Sequence, residues 1–208
     1  MAEIKNIIFD LGGVIYDINY QNTIDAFADL GIIDPLQIYS QKGQSKIFDD
    51  FEVGALSESE FLTAIKREFP KKVQEEDIIA AWNAMLCGLP DHRIDFLLEI
   101  GEEYNIFLLS NTNAIHMQQI NDEMRKSDNG DLKSYFHGAY YSFELGMRKP
   151  HVETFQEVLK LENLDPEETL FIDDSAQHIK GAKQAGIHVY HHIEEDIVEV
   201  IDEVINSL

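Results

Sequence analysis

Four short apolar runs in this chain each lead to a side chain able to do chemistry. Ile7-Ile8-Phe9 runs into Asp10, Ile106 to Leu109 runs into Ser110 and Asn111, and Leu170-Phe171-Ile172 runs into Asp173 and Asp174. Lys149 stands in the loop Leu145-Gly146-Met147-Arg148-Lys149-Pro150 that follows Ala139-Tyr140-Tyr141. Each alone has an ordinary explanation, since an Asp after a strand often caps a helix or closes a turn. Set side by side on neighbouring parallel strands, they bring three carboxylates, a hydroxyl and an ammonium to one rim. Three carboxylates so placed repel one another, each pair by about 4 kcal/mol at a separation of roughly 4 Å and an effective dielectric near 20. One lysine does not balance them, least of all with an anionic substrate present. Hard oxygen donors of this kind suit Mg²⁺, which takes one or two carboxylates, waters and phosphate oxygens. Phosphoryl transfer needs in-line positioning and charge stabilisation. Asp10 would supply the nucleophile, Ser110 a hydrogen bond and Lys149 a fixed positive charge.

The elements that must position these groups are legible in the apolar pattern. The runs just named, with Ile187 to Tyr190, have the look of strands buried on both faces. Helical stripes separate them: Ile94, Leu97, Leu98 and Tyr104; Val152, Phe155, Val158 and Leu159; and Ile193, Ile197, Val200, Ile201, Val204 and Ile205. Strand and helix alternating in this way predict an α/β fold, a Rossmann-like parallel sheet with helices on both faces. From about Asp17 to Gly88 the rhythm changes to helix after helix. Tyr20, Ile24, Phe27 and Ala28 form one stripe, Phe61, Leu62, Ile65 and Phe69 a second, and Ile78, Trp82, Met85 and Leu86 a third, with a capping box at Ser57-Glu58-Ser59-Glu60. We therefore expect a small helical cap over residues 17–88, inserted into a core built from 1–16 and 89–208. Ligands of open α/β sheets bind outside the carboxyl ends of the strands, and the cap would cover that edge.

Composition narrows the partners. The 208 residues carry 16 Lys and Arg against 39 Asp and Glu, a net charge of −23. Such a surface repels nucleic-acid phosphates and anionic lipid, so neither nucleic acid nor a membrane is expected as partner. The apolar run after Met1 ends at Asp10, too soon for a signal peptide or a membrane span. Cys87 is the only cysteine, which suits a reducing compartment, and the cytoplasm is the expected location.

The segments Phe-Asp-Leu-Gly-Gly-Val-Ile (9–15), Leu-Leu-Ser-Asn-Thr-Asn (108–113), Leu-Gly-Met-Arg-Lys-Pro (145–150) and Phe-Ile-Asp-Asp-Ser (171–175) resemble, in order, the four motifs of the haloacid-dehalogenase superfamily. The likeness spans essentially the whole chain, and the helical insert resembles that superfamily's C1-type cap. Within it, the first motif and the Gly-Met-Arg-Lys-Pro loop resemble those of the bacterial α-D-glucose-1-phosphate phosphatase branch. The resemblance implies that Asp10 is nucleophile and metal ligand and that the carbonyl of Gly12 is a second ligand. Asp174, alone or with Asp173, would complete the protein's share of a Mg²⁺ site. Ser110, Asn111 and Lys149, with Leu11 and Gly12 in the first loop, would hold the phosphate of a small phosphorylated metabolite.

One position departs from the family pattern. Most phosphatases of the superfamily carry a second Asp two residues after the nucleophile as general acid and base, and here that position is Gly12. Proton transfer of this kind is typically worth roughly 10²–10⁴-fold. A substrate with a good leaving group, such as a sugar 1-phosphate, is the first explanation. A stand-in such as Asp17 is the second, although the ordinary role of an Asp at this hinge is a linker hydrogen bond. A feeble enzyme that only binds phosphorylated ligands is the third. Nucleotides, riboflavin-pathway phosphates and other sugar phosphates fit the motifs as well. A phosphomutase is disfavoured by the missing Asp, and a metal-independent 2-haloacid dehalogenase by the Asp173-Asp174 pair, which would repel a carboxylate substrate. The remaining side chains read as structural: Arg148 in a surface ion pair, Trp82 in the cap core, Cys87 as a buried thiol, and Phe48 and Phe51 in helix packing.

Overall fold

The computed structural model describes residues 3–40, 43–44, 46–193 and 195–207. Its centre is a five-stranded parallel sheet made of β1 (Asn6–Phe9), β2 (Asn105–Ser110), β3 (Gly138–Tyr141), β4 (Thr169–Asp173) and β5 (His188–His191), in the spatial order β3-β2-β1-β4-β5. The three inner strands are the predicted apolar runs, and β1 and β4 are buried along their whole length. The outer strands, β3 and β5, are only half-buried, because an edge strand has one covered neighbour fewer.

Successive side chains of a strand point to opposite faces, and the core divides accordingly. On one face Ile7, Phe9, Leu108 and Ile172 meet helices α5 (Asp91–Glu103), α6 (Ala114–Lys126) and α9 (Ile197–Asn206) through Leu97, Ile120 and Ile201. On the other, Ile8, Phe107, Leu109 and Phe171 meet α7 (Val152–Glu162) and α8 (Ala176–Gln184) through Phe155, Val158 and Ala182. Two apolar layers around a parallel sheet are the expected α/β architecture.

A third apolar cluster lies beyond the sheet. It is built by α1 (Tyr20–Asp29), α2 (Lys46–Glu52), α3 (Glu58–Ile65) and α4 (Glu75–Asn83), with Ile115 of α6 reaching into it. Aromatic rings fill it: Phe51 stacks on Phe61 at 4.2 Å, and Phe48 tilts against Trp82 at 4.8 Å. Ser57 and Glu60 form the predicted capping box at the start of α3. The chain enters and leaves this helical layer side by side, because Asp17–Ile18 pairs antiparallel with Leu86–Gly88.

Some residues of the predicted stripes do not join the buried face. Leu98 is 56% exposed because it lies one residue, about 100° of helix, past the buried line through Leu97. Ala28 is exposed and Thr23 takes the inward position on α1, its hydroxyl donating to the carbonyl of Trp82 at 3.0 Å. Ile193 precedes the N-cap Asp196 and is exposed, so the last helix begins at Ile197. Cys87 is exposed rather than buried, since it stands on the ribbon between the layers. Among the described residues, no helix is long and apolar enough to cross a membrane.

Candidate active site

Parallel registry brings the strand ends to one edge. Phe9 lies beside Leu108 and Ile172, and the amide of Asp10 donates to the carbonyl of Ile172 at 2.9 Å, which holds Asp10 next to Asp173. Lys149 reaches the same point from the loop after β3. Its backbone is tied to the end of β2 by two hydrogen bonds with Asn111: the Lys149 amide donates to Oδ1 and Nδ2 donates to the Lys149 carbonyl, both at 2.9 Å. The ammonium is fully buried, 2.8 Å from Oδ1 of Asp10 and 2.7 Å from Oδ2 of Asp173, and lies 5.3 Å from the centre of the Phe171 ring.

The groups of the rim line a cavity of about 340 Å³ between the sheet edge and the helical layer. Asp10, Leu11, Gly12, Ser110, Asn111, Lys149 and Asp174 all face it. Asp173 does not line it. That side chain has no exposed surface, and its oxygens accept from Lys149, from the amide of Ser175 at 2.7 Å and from Nδ1 of His178 at 2.9 Å. Asp174 instead packs on the first loop: a Cβ at Gly13, whose φ is +79°, would come within 2.7 Å of its carboxylate. A side chain at Gly12 would strike Cδ1 of Ile18 at 2.8 Å, so the hinge residue fills the space where the family's acid–base Asp would begin. Asp17 does not line the cavity. It accepts from Arg93 at 2.8 Å, and Arg93 also binds the Ile15 carbonyl and Asp196, the linker role expected of it.

Several residues line the cavity that the sequence does not mark for it: Glu52 and His116 carry no signal, and Tyr20 reads only as part of an apolar stripe. Tyr20, Glu52 and His116 face the cavity, the first two from the helical layer. Arg148 lines it as well and forms ion pairs with Asp49 and, at 3.1 Å, with Glu52, so its partners belong to α2. Helical periodicity marks a buried apolar stripe but not the polar side chains beside it, such as Glu52 and His116, and Arg148 lies in the loop after β3, where no periodicity applies. His178 could have been found as the residue one turn into α8 from the Asp173-Asp174 pair.

Electrostatics shows what the arrangement lacks. Burial pushes the carboxyl of Asp10 well above the ordinary carboxylate range, and Asp173 and Asp174 add to this while Lys149 opposes it. Burial, reinforced by the charge of Asp173, lifts Asp174 to about 6. Asp173 itself is held low, because Lys149 and His178 outweigh its burial. One ammonium is thus shared between Asp173 and Asp10, and with Asp174 beside them the carboxylates of the cavity wall are left short of positive charge. Ligand atoms of Asp10, Asp173 and His178 lie within 4.8 Å of one another. A cation among those three would have to displace Lys149 from Asp173, whereas Asp10, Asp174 and the loop at Gly12 offer oxygen donors at the cavity itself. That donor set fits a hard divalent cation.

Comparison with known proteins shows the family. Residues 4–186 match the model of the haloacid dehalogenase-like hydrolases. The chain belongs to that family. It is 33% identical over 187 residues to D-ribitol-5-phosphate phosphatase from Bacteroides thetaiotaomicron, covering 90% of this chain and 91% of the relative. It is 27% identical to glyceraldehyde 3-phosphate phosphatase from Methanocaldococcus jannaschii, covering 99% and 94%. A crystal structure of a haloacid dehalogenase-family enzyme from B. thetaiotaomicron, an Asp-to-Ala variant in complex with magnesium and inorganic phosphate, superposes with a TM-score of 0.89 at 33% identity, covering 95% of this chain and 98% of that one. An L-2-haloacid dehalogenase from Xanthobacter autotrophicus, 22% identical with a TM-score of 0.60 over 89% and 76% of the two chains, shares the fold.

Proposed function

We propose that this hydrolase is a Mg²⁺-dependent phosphatase that removes phosphate from small sugar or alditol monophosphates through a phosphorylated Asp10. The observation that carries this reading is the Asp10 carboxylate, positioned by Lys149 at 2.8 Å and open to a cavity that also receives Asp174, Ser110 and Asn111. Relatives that act on ribitol 5-phosphate and glyceraldehyde 3-phosphate, and the magnesium and phosphate bound by a 33% identical enzyme, support the class of substrate and the metal.

In the proposed reaction an Asp10 oxygen attacks phosphorus in line, the bond from phosphorus to the leaving oxygen breaks, and an acyl phosphate forms on Asp10. Water then attacks the same phosphorus, releasing inorganic phosphate and restoring the carboxylate. Ser110 and Asn111 orient the phosphoryl oxygens, and Lys149 offsets the charge that develops on them. Asp10, the carbonyl of Gly12 and Asp174 would hold the metal, with Asp173 anchoring Lys149 behind them. When bound, Mg²⁺ supplies the positive charge that keeps Asp10 ionised beside a phosphate. With Ile18 in the place of an acid–base side chain, substrates whose leaving oxygen needs little protonation are favoured, and glucose 1-phosphate is one of these. The acidic surface and the free Cys87 suit the cytoplasm.

A panel of phosphorylated metabolites assayed with Mg²⁺ tests the reading, beside Asp10→Asn and a chelator. We expect phosphate release that stops in both controls, and a phosphoryl adduct on the Asp10 peptide in rapidly quenched samples. Equal turnover by Asp10→Asn would remove the nucleophile, and haloacid turnover that survives chelator would replace the phosphatase with a dehalogenase.

A further inference from the structure

His116 belongs to none of the groups that handle the phosphate, yet it faces the same cavity. It lies on α6 in the sheet domain and touches the helical layer, where its Nδ1 is 2.8 Å from Oδ1 of Asn83 and its ring stacks on Trp82 with centroids 4.6 Å apart. The side chain is more than nine-tenths buried, at 6% exposure. An amide oxygen only accepts, so Nδ1 carries the proton, and burial keeps the ring neutral. Nε2 is therefore a bare lone pair. It has no hydrogen-bond partner among the described residues, and it is not sealed from solvent.

A buried neutral acceptor left open at a cavity wall calls for a donor. Ile120, one turn further along α6, and Met85 and Leu86, just past Asn83, line the same cavity and make the stretch of wall beside His116, away from the carboxylates of the rim, a poor place for a bare charge. A hydroxyl suits both conditions. We propose that Nε2 of His116 accepts a hydrogen bond from a hydroxyl of the substrate's leaving group, so that the cavity selects hydroxylated monophosphates over plain alkyl ones. This rests on the phosphatase reading above. Asn83 is then a positioning residue: it fixes the tautomer that leaves Nε2 free to accept, and does so from the helical layer, so that selectivity depends on how that layer is seated.

Ribitol 5-phosphate and n-pentyl phosphate, equal in chain length and different in hydroxyls, test the proposal on the Mg²⁺-loaded protein. His116→Phe keeps a stacked ring and removes the acceptor; Asn83→Leu keeps the histidine and frees its tautomer. In His116→Phe the preference for ribitol 5-phosphate, as a ratio of kcat/KM values, should fall about tenfold, the worth of one neutral hydrogen bond. The loss should lie chiefly in KM, and Asn83→Leu should show a smaller loss in the same direction. A purely structural histidine would lower both substrates together and leave the ratio unchanged, which overturns the proposal. So does a wild-type enzyme that hydrolyses both esters equally well. Should His116→Phe fail to melt cooperatively, the ratio in Asn83→Leu decides alone. A wild-type protein that hydrolyses neither ester nor 4-nitrophenyl phosphate sinks the phosphatase reading itself, and this inference with it.

Discussion

The ammonium of Lys149 lies 2.8 Å from Oδ1 of Asp10 and has no exposed surface. Two carboxylates share this one cation, since Oδ2 of Asp173 is 2.7 Å away. Replacing it with the near-isosteric Met leaves Asp173 buried without its partner and removes the charge facing the phosphoryl group. We expect Lys149→Met to lower kcat roughly 10²–10³-fold, the usual loss for one oriented charge-stabilising donor. Urea unfolding should show a stability loss of a few kcal/mol, as when one partner of a buried pair is removed. Near-normal turnover by a folded Lys149→Met protein would show that the ammonium has no part in the reaction.

Asp173 and Asp174 are adjacent in sequence but face different surroundings, and their Asn variants should separate. Asp174 faces the cavity and rests against Gly13. Asp174→Asn should raise the Mg²⁺ concentration for half-maximal activity by about tenfold or more, at least the loss caused by disturbing an outer partner of a metal ligand. Its melting temperature should change little. Asp173 accepts from Lys149, Ser175 and His178 without reaching the cavity. Asp173→Asn should lower the melting temperature clearly, because an amide cannot accept from all three. Magnesium titrations and melts of the two variants check this, and the reverse pattern would exchange their roles.

The sheet and its rim were legible because each depends on local pattern. Apolar runs such as Leu170-Phe171-Ile172 mark strands buried on both faces, and the chemistry-bearing residue follows directly. The division between Asp173 and Asp174 was not legible, because both stand at the end of the same strand and only the tertiary positions of Lys149 and His178 tell them apart. Ile18 shows the same limit. Nothing in its sequence neighbourhood says that its methyl group fills the space above Gly12. Arg148 was expected in a surface pair, and its partners prove to be Asp49 and Glu52 on the far side of the cavity. Such contacts join residues about a hundred positions apart, and composition and periodicity carry no record of them.

Restoring an acid–base carboxylate at position 12 requires room. Gly12→Asp alone forces Cδ1 of Ile18 aside from 2.8 Å, so the double change Gly12→Asp with Ile18→Ala is the cleaner variant. If leaving-group protonation is what the natural chain lacks, the double variant should hydrolyse alkyl phosphates faster, by up to about 10²-fold, the lower range for general acid catalysis. Sugar 1-phosphates, with their more acidic leaving oxygen, should gain little. Initial rates on both classes decide it, and a uniform gain would place the limitation elsewhere.

Burial holds His116 at about 3, well below the 6.5 of an exposed histidine. Between those values the unfolded chain binds a proton that the folded chain refuses. Acid therefore favours unfolding across that window, and above 6.5 this residue contributes no pH dependence. Other groups titrate nearby, so the informative quantity is the difference between wild type and His116→Phe. Unfolding free energies from urea titrations at several pH values should fall more steeply for the wild type on acidification, by up to about 1.4 kcal/mol per pH unit, the limit set by one proton. The two curves should run parallel once the pH exceeds the window. Parallel curves throughout would mean that the folded protein admits a proton at His116, which is incompatible with a neutral ring whose Nε2 serves as an acceptor.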